Sequence, residues 1–251
     1  MSKTGYYSGK NIELSIVIPA YNEEYRITNV LNTYYRYFNK VYRDKFEIIV
    51  VCNGCTDRTP TIIKKLIKDG LDISCIEFSQ KLGKGGAIIE GFKESSGRYI
   101  GFIDADESVT PKDIKKLLDI SKEEDYDGVI ASRWVKDSRI LIKQPFKRRV
   151  ASRVFNILVR TMFKLNFNDT QCGAKIFKRD VIEEVLNKIK SKGFAFDVEL
   201  LWNVMKKGYE VKEVGITWKH QEYSKFNFSD IPTMFWDMLK LRFRSIQNDR
   251  D

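Results

Sequence analysis

Four short apolar runs separated by helical stretches constrain this 251-residue chain more than any other feature. They are Glu13 to Ile18 (ELSIVI), Phe46 to Val51 (FEIIVV), Ile73 to Phe78 and Tyr99 to Ile103. Each is rich in β-branched or aromatic residues and too short for a helix. Helices are predicted between them, from about Asn22 to Phe38, from Thr59-Pro60 to Asp69 and from Ala87 to Lys93. Asn22 reads as an N-cap, and Glu23 and Glu24 suit the positive end of a helix dipole. Near-continuous apolar strands alternating with helices imply a parallel sheet covered on both faces. The expected class is therefore α/β: a mostly parallel, Rossmann-like sheet with helices on both sides. Ligands of such sheets bind beyond the carboxyl ends of the strands. Residues 19–23, 52–57 and 104–106 are then expected to line one crevice, although far apart in sequence.

The fourth run ends in Asp104-Ala105-Asp106. Side chains at i and i+2 of a strand point the same way, so the two carboxylates stand together where the strand leaves the sheet. Like charges that close raise each other's pKa unless something neutralises them. A divalent cation bound to a phosphate would do so with hard oxygen ligands. A plain polar turn after a buried strand is the competing reading. Lys81-Leu82-Gly83-Lys84-Gly85-Gly86 precedes the third helix, and glycines there let backbone N–H groups approach an anion. It is neither a Walker A loop nor a G-x-G-x-x-G, so alone it is a weak signal.

Further along, a helix is predicted from Pro111 to about Ser121 and a fifth strand from Gly128 to Ser132, which delivers Arg133 and Trp134 to the same edge. From Phe146 to Phe163, Phe146, Val150, Val154, Ile157, Leu158 and Met162 recur at helical spacing. That stripe fits either a helix packed on the core with a solvated basic face or a helix in contact with a membrane. A short strand (174–177), two helices (about 180–189, and one beginning near Asp197) and an edge or antiparallel strand (209–218) follow. His220 reads as a loop or structural residue rather than a general base. A last helix at 229–247, capped by Ser229 or Asp230, is apolar on more than one side and resembles helices that lie on membranes. Residues 1–12 read as a flexible start, 13–226 as one α/β domain and 227–251 as an amphipathic C-terminal helix.

Charge narrows the partners. The net charge is +10, and between Arg133 and Lys164 there are ten basic residues against one acid, Asp137. Such a patch faces phosphates, whether of nucleic acid, an anionic membrane or a phosphorylated substrate. No window is long and apolar enough for a membrane span, and the first residues carry no basic-then-apolar segment. Four cysteines (Cys52, Cys55, Cys75, Cys172) suit a reducing compartment. Cys52 and Cys55 form a C-x-x-C, but zinc would need a second ligand pair, and His220 is the only histidine.

Ser15-Ile16-Val17-Ile18-Pro19-Ala20-Tyr21-Asn22-Glu23-Glu24, Leu82-Gly83-Lys84-Gly85-Gly86-Ala87 and Asp104-Ala105-Asp106 together resemble the opening strand, the glycine-lysine stretch and the D-x-D motif of family 2 glycosyltransferases with the GT-A fold. Asp169-Thr170-Gln171-Cys172-Gly173, Phe196-Asp197-Val198-Glu199-Leu200, and Trp218-Lys219-His220 followed by Ser224-Lys225 resemble the branch of dolichyl-phosphate mannose synthases and dolichyl-phosphate glucosyltransferases. The resemblance spans about residues 13–226. Two departures stand out. Cys52-Asn53-Gly54-Cys55 replaces the Asp-Asp-Gly-Ser of many members, and Ser108 occupies a position where the branch often carries Gln.

The resemblance implies an inverting hexosyl transfer from a nucleotide sugar, of UDP-glucose or GDP-mannose type, to dolichyl or another polyprenyl phosphate, with Mg2+ or Mn2+. It implies that Asp104 and Asp106 hold the metal, with Asp104 also near the ribose, and that Pro19, Ala20, Tyr21, Glu23, Asn53 and Lys84 line the nucleotide pocket. Arg133, Arg148, Arg149 and Lys225 are the expected grips on the acceptor phosphate, and Asp169 is the candidate base or orienting carboxylate. A lipid acceptor implies peripheral contact with the cytoplasmic face of a membrane, and a lipid rather than nucleic acid as the partner of the basic patch. A family relative with a soluble or saccharide acceptor is the alternative.

Overall fold

The computed structural model describes residues 11–220 and the helix at 231–248. In chain order the elements are β1 (Leu14–Ala20), α1 (Ile27–Tyr42), β2 (Phe46–Asn53), α2 (Thr59–Lys68), β3 (Ser74–Phe78), α3 (Gly83–Lys93), β4 (Tyr99–Ile103), α4 (Pro111–Glu123), β5 (Gly128–Ser132) and β6 (Arg139–Ile142). There follow α5 (Phe146–Phe163), β7 (Ala174–Lys178), α6 (Arg179–Leu186), α7 (Phe196–Lys206), β8 (Val211–Gly215), β9 (Thr217–Lys219) and α8 (Ile231–Asn248). Seven strands form one sheet in the order β3-β2-β1-β4-β7-β5-β8. Only β7 runs against its neighbours. The carboxyl ends of β1, β2, β4 and β5 therefore share an edge, and the start of β7 arrives there too.

Alternation along the strands divides the core into two layers. Ile16, Ile18, Ile48 and Val50 face Leu31, Phe38 and Leu117 on one side. Val17, Ile49, Val51 and Phe102 face Ala87, Phe196 and Val198 on the other. Phe38, Phe102, Phe177 and Phe196 are almost completely buried, each contributing about 2–3 kcal/mol through removal from water. The mostly parallel sheet with helices on both faces matches the sequence expectation.

Three local expectations are corrected. The first helix begins at Ile27, not Asn22. Asn22 has φ 54, and its amide bonds the next loop instead: Oδ1 accepts from Thr56 N at 2.8 Å and Nδ2 donates to Thr56 Oγ1 at 3.0 Å. Glu23 N donates to Thr59 Oγ1 and Glu24 N to Asp57 Oδ2. Side chains that could cap a helix thus stitch the loop after β1 to the loop after β2. The third helix starts at Gly83, four residues early. Its glycines serve packing: a Cβ on Gly85 would lie 2.4 Å from Phe196 Cβ of α7. Finally, of the apolar stripe of the 146–163 helix only Met162 packs against the core. Phe146, Val150, Val154 and Ile157 are exposed, and α5 seats Phe155, Val159 and Phe163 inward instead.

The predicted strand at 209–218 divides. β8 joins the sheet edge parallel to β5, and β9 pairs in parallel with β6, a short strand that the sequence reading did not foresee. The start of α4 fixes this region. Thr110 and Asp113 form a reciprocal capping box, and the other oxygen of Asp113 accepts from Thr217 N at 3.0 Å. Of α8, Met234, Met238 and Leu241 are buried beside α5, while Phe235, Trp236 and Phe243 are exposed. Ser229 and Asp230, the expected caps, lie outside the described residues. Among the described residues no helix is long and apolar enough to cross a membrane.

Candidate active site

A cavity of about 720 Å³ opens where these strands end. Pro19, Tyr21 and Glu23 reach it from the end of β1, Asn53 from β2, and Asp104, Asp106 and Ser108 from β4. Arg133 comes from β5, Gln171 and Gly173 from the approach to β7, and Arg148, Ser152 and Phe155 from the inner face of α5. Strand topology thus gathers residues from these six stretches of sequence onto one rim, as Rossmann-like sheets do.

The acidic side is organised by two lysines. Lys84 Nζ lies 2.9 Å from Asp104 Oδ1 and 3.3 Å from Asp197 Oδ2. Lys175, wholly buried on β7, pairs with the other oxygen of Asp197 and donates to Cys172 O at 2.9 Å. Burial pushes the Asp104 carboxyl above its usual range; Lys84 offsets part of this and Asp106 adds to it. Burial works against Asp197 as well, but Lys175 and Lys84 outweigh it and hold that carboxyl below its usual range. Lys84 stays charged despite burial because Asp104 and Asp197 flank it. Asp104 needs Gly173 beside it: a Cβ there would fall 1.8 Å from Asp104 Oδ2, while Asp104 N donates to Gly173 O.

Asp106 differs. Its Oδ1 accepts from Ser108 N at 3.0 Å, and among the described residues no cation lies within ion-pair distance of it. No cluster of three or more metal-binding side chains occurs among the described residues. The donor set still fits a hard divalent cation of the Mg2+ or Mn2+ type, which takes one or two carboxylates and completes its shell with water and substrate phosphate.

The opposite wall is cationic. Arg133 donates Nε to Asp169 Oδ2 at 2.7 Å and Nη2 to Oδ1 at 2.8 Å. It also stands over the Trp218 ring at 5.5 Å. Asp169 is itself fixed, its N–H donating to Glu213 Oε1 at 2.7 Å. Asp169 is buried and does not line the cavity; it reaches the cavity through Arg133. Burial and then the neighbouring Arg133 lower the pKa of Arg148, with Asp106 opposing them. Two guanidiniums so placed would both gain from an anion between them.

At the remaining end, Glu23 is buried and paired with Arg26, and Lys81 sits over the Tyr21 ring at 4.2 Å. Asn53 Oδ1 accepts from Leu82 N, which ties β2 to the loop that leads into α3. Ala20 is buried and absent from the lining. Arg149 faces away from the cavity, one residue round α5 from Arg148. Lys225 lies outside the described residues. His220 lines the cavity with its ring stacked on Trp218 at 5.8 Å.

Arg26, Asp197 and Lys175 carry parts of this site that the sequence reading did not assign. A signal existed for the last two: a lysine within the apolar Ala174–Lys178 strand and an acid within FDVELL each need a buried partner.

Comparison with known proteins agrees with this geometry. The family model described as glycosyl transferase family 2 matches residues 15–186. A dolichyl-phosphate beta-glucosyltransferase of Dictyostelium discoideum is 32% identical over 245 residues, covering 93% of this chain and 75% of that protein. One from Saccharomyces cerevisiae is 33% identical over 232 residues, covering 86% and 70%. Among solved structures, glucosyl-3-phosphoglycerate synthase from Mycobacterium tuberculosis, in complex with Mn2+, UDP and glucosyl-3-phosphoglycerate, superposes with a TM-score of 0.67 at 18% identity, covering 94% of this chain and 81% of that one.

Proposed function

Because the chain belongs to glycosyl transferase family 2 and is a glycosyltransferase, we propose that it moves a hexose from a nucleotide sugar to dolichyl or another polyprenyl phosphate. The reading rests on one observation: a single cavity carries an acidic pair, Asp104 and Asp106, on one wall and two guanidiniums, Arg133 and Arg148, on the other. An acceptor that is itself a phosphate suits the second wall. Both relatives above are named for dolichyl phosphate and for glucosyl transfer. UDP-glucose is therefore the first donor to test, with GDP-mannose as the comparison.

In this reading Pro19, Tyr21, Glu23 and Asn53 enclose the base and ribose, and Lys84 contacts the diphosphate. A divalent cation held by Asp106, with Asp104 beside it, would offset charge on the departing nucleoside diphosphate. Arg133 and Arg148 hold the acceptor phosphate so that one of its oxygens faces the anomeric carbon. That oxygen forms the new bond as the bond to the diphosphate breaks on the opposite face, which inverts the configuration. A phosphate monoester has its second pKa at about 6, so the nucleophile is already anionic near neutral pH and needs no strong base. Asp169 then acts by fixing Arg133. Arg149, which faces away from the cavity, is not among the residues proposed for this grip.

In this reading a lipid acceptor brings catalysis to a bilayer surface. The exposed stripe of α5 and the exposed aromatics Trp236 and Phe243 of α8, with the basic residues between 133 and 164, suit peripheral attachment to an anionic bilayer. Four free cysteines suit its cytoplasmic face.

The test uses radiolabelled UDP-glucose or GDP-mannose with Mn2+ and either dolichyl phosphate or a water-soluble phosphate such as 3-phosphoglycerate. Label moving into the organic phase only with dolichyl phosphate, and ceasing with EDTA, is the expected result. Transfer to the soluble acceptor alone would replace this reading with that of a soluble-acceptor enzyme.

A further inference from the structure

Helix α5 has a second working face. Arg148, Ser152 and Phe155 look into the catalytic cavity, whereas Arg149, Val150, Arg153, Val154 and Ile157 line a separate groove of about 330 Å³ closed on its other side by Trp134. Along the helix the groove interleaves Arg149 and Arg153 with Val150, Val154 and Ile157. The Arg153 guanidinium lies 4.9 Å from the Trp134 ring, and its Nη1 is buried with no hydrogen-bond partner among the described residues. Val154 and Ile157 are more than half exposed. The helix carries five basic residues and no acid.

We propose that this groove binds the headgroup phosphate of an anionic membrane phospholipid, whose chains run over Val150, Val154 and Ile157. A buried guanidinium N–H without an acceptor is costly, and a phosphate oxygen is its natural partner. Apolar side chains standing in water beside that cation gain from contact with acyl chains, and a tryptophan suits the boundary between the two. Diffuse attraction to a negative surface would need neither the groove nor the orphaned donor. The inference rests on the reading that the enzyme works at a bilayer, but not on which sugar it moves. The lipid is distinct from the acceptor, because Arg149 and Arg153 face away from the catalytic cavity.

The test is flotation of the full chain with vesicles that contain no polyprenyl phosphate, made of phosphatidylcholine alone or with phosphatidylserine at about 3:1. The expected result is binding only when phosphatidylserine is present. Arg153→Gln should lower that binding at least about tenfold, since a charge-assisted contact is lost. Lys147→Gln removes the same charge from the same helix outside the groove and should cost no more than about fivefold, the effect of one delocalised charge. Val154→Glu, at an exposed position where folding is not at stake, should weaken binding as Arg153→Gln does. Equal losses for Arg153→Gln and Lys147→Gln would overturn the site in favour of diffuse attraction. Binding that appears only when dolichyl phosphate is added to neutral vesicles would also overturn it, by assigning the groove to the acceptor. Sugar transfer to a short, water-soluble prenyl phosphate, assayed without vesicles, reports separately on the catalytic reading.

Discussion

Arg133 and Asp169 are joined by two side-chain hydrogen bonds of 2.7 and 2.8 Å, and the backbone N–H of Arg133 adds a third at 3.0 Å. A carboxylate engaged on both oxygens by one arginine is arranged to aim that arginine rather than to accept a proton. Asp169→Asn should therefore raise the acceptor KM about tenfold and change kcat by no more than about threefold. A general base would show the opposite, a fall in kcat of about 10²–10⁴. Steady-state kinetics with varied acceptor, on protein checked by thermal melting, separate the two.

Gly173 leaves room for Asp104, since a methyl group at that position would overlap the carboxylate. The backbone there does not require glycine, so Gly173→Ala should fold with a stability loss of about 1–2 kcal/mol. Displacing Asp104 by about an ångström should lower kcat/KM about 100-fold. Near-normal turnover in Gly173→Ala would show that the position of Asp104 is not critical.

Lys175 and Asp197 are a buried pair with Lys84 as the second cation. Lys175→Met leaves Asp197 short of one partner and should cost about 3 kcal/mol, a fall in Tm of about 6–12 °C for a chain of this size. Adding Asp197→Leu should restore at least half of the loss, because the uncompensated charge is gone. Asp197 is held below its ordinary value in the folded protein. Its contribution to stability is thus present above the unfolded carboxylate pKa and is lost as pH falls through the folded one. The gap between wild type and Lys175→Met should narrow below about pH 4. Urea titrations across pH measure the three free-energy differences, and thermal melts the fall in Tm.

The neighbouring Cys52 thiol lowers the Cys55 thiol to about 7, although Cys55 Sγ also donates to Ala20 O at 3.4 Å, which favours the protonated form. Burial, with Asp169 nearby, pushes Cys172 up to about 12. Only the thiolate is alkylated. Iodoacetamide labelling of the folded protein, read by mass spectrometry, should rise at Cys55 with a midpoint near 7 and spare Cys172. A midpoint near the ordinary 9.0 would mean that the Cys55 bond to Ala20 O outweighs the influence of Cys52.

How much of this was legible in the sequence depended on whether the signal was local. The ends of β1, β2 and β4 were readable because apolar runs stop abruptly at polar residues, and topology then brings the ends together. Asn22 was misread because its amide has two competing partners, the first turn of a helix and the Thr56 loop, and only the fold decides between them. Arg148 and Arg149 are indistinguishable as charges. They differ by about 100° of helix rotation, and the inward positions Phe155 and Val159 that set the phase were overshadowed by a more conspicuous stripe facing outward. The β6–β9 pair, four residues against three, is too short to leave a pattern. Lys175 and Asp197 left a signal, a charge in each of two apolar segments, but nothing in the spacing said that they were each other's partner.

The reversed direction of β7 has a consequence for how such a catalyst can diversify. The parallel strands β1, β2 and β4 finish at the rim and supply the wall assigned to the donor, whereas β7 begins there and brings in the loop holding Asp169 and Gln171 beside Arg133. Exchanges in that incoming loop ahead of Gly173 can remodel the wall around Arg133, whereas Gly173 and Lys175 stay tied to Asp104 and Asp197. One inverted strand thereby touches both walls: its approach stands beside Arg133, and its first residues brace the carboxylates that face it.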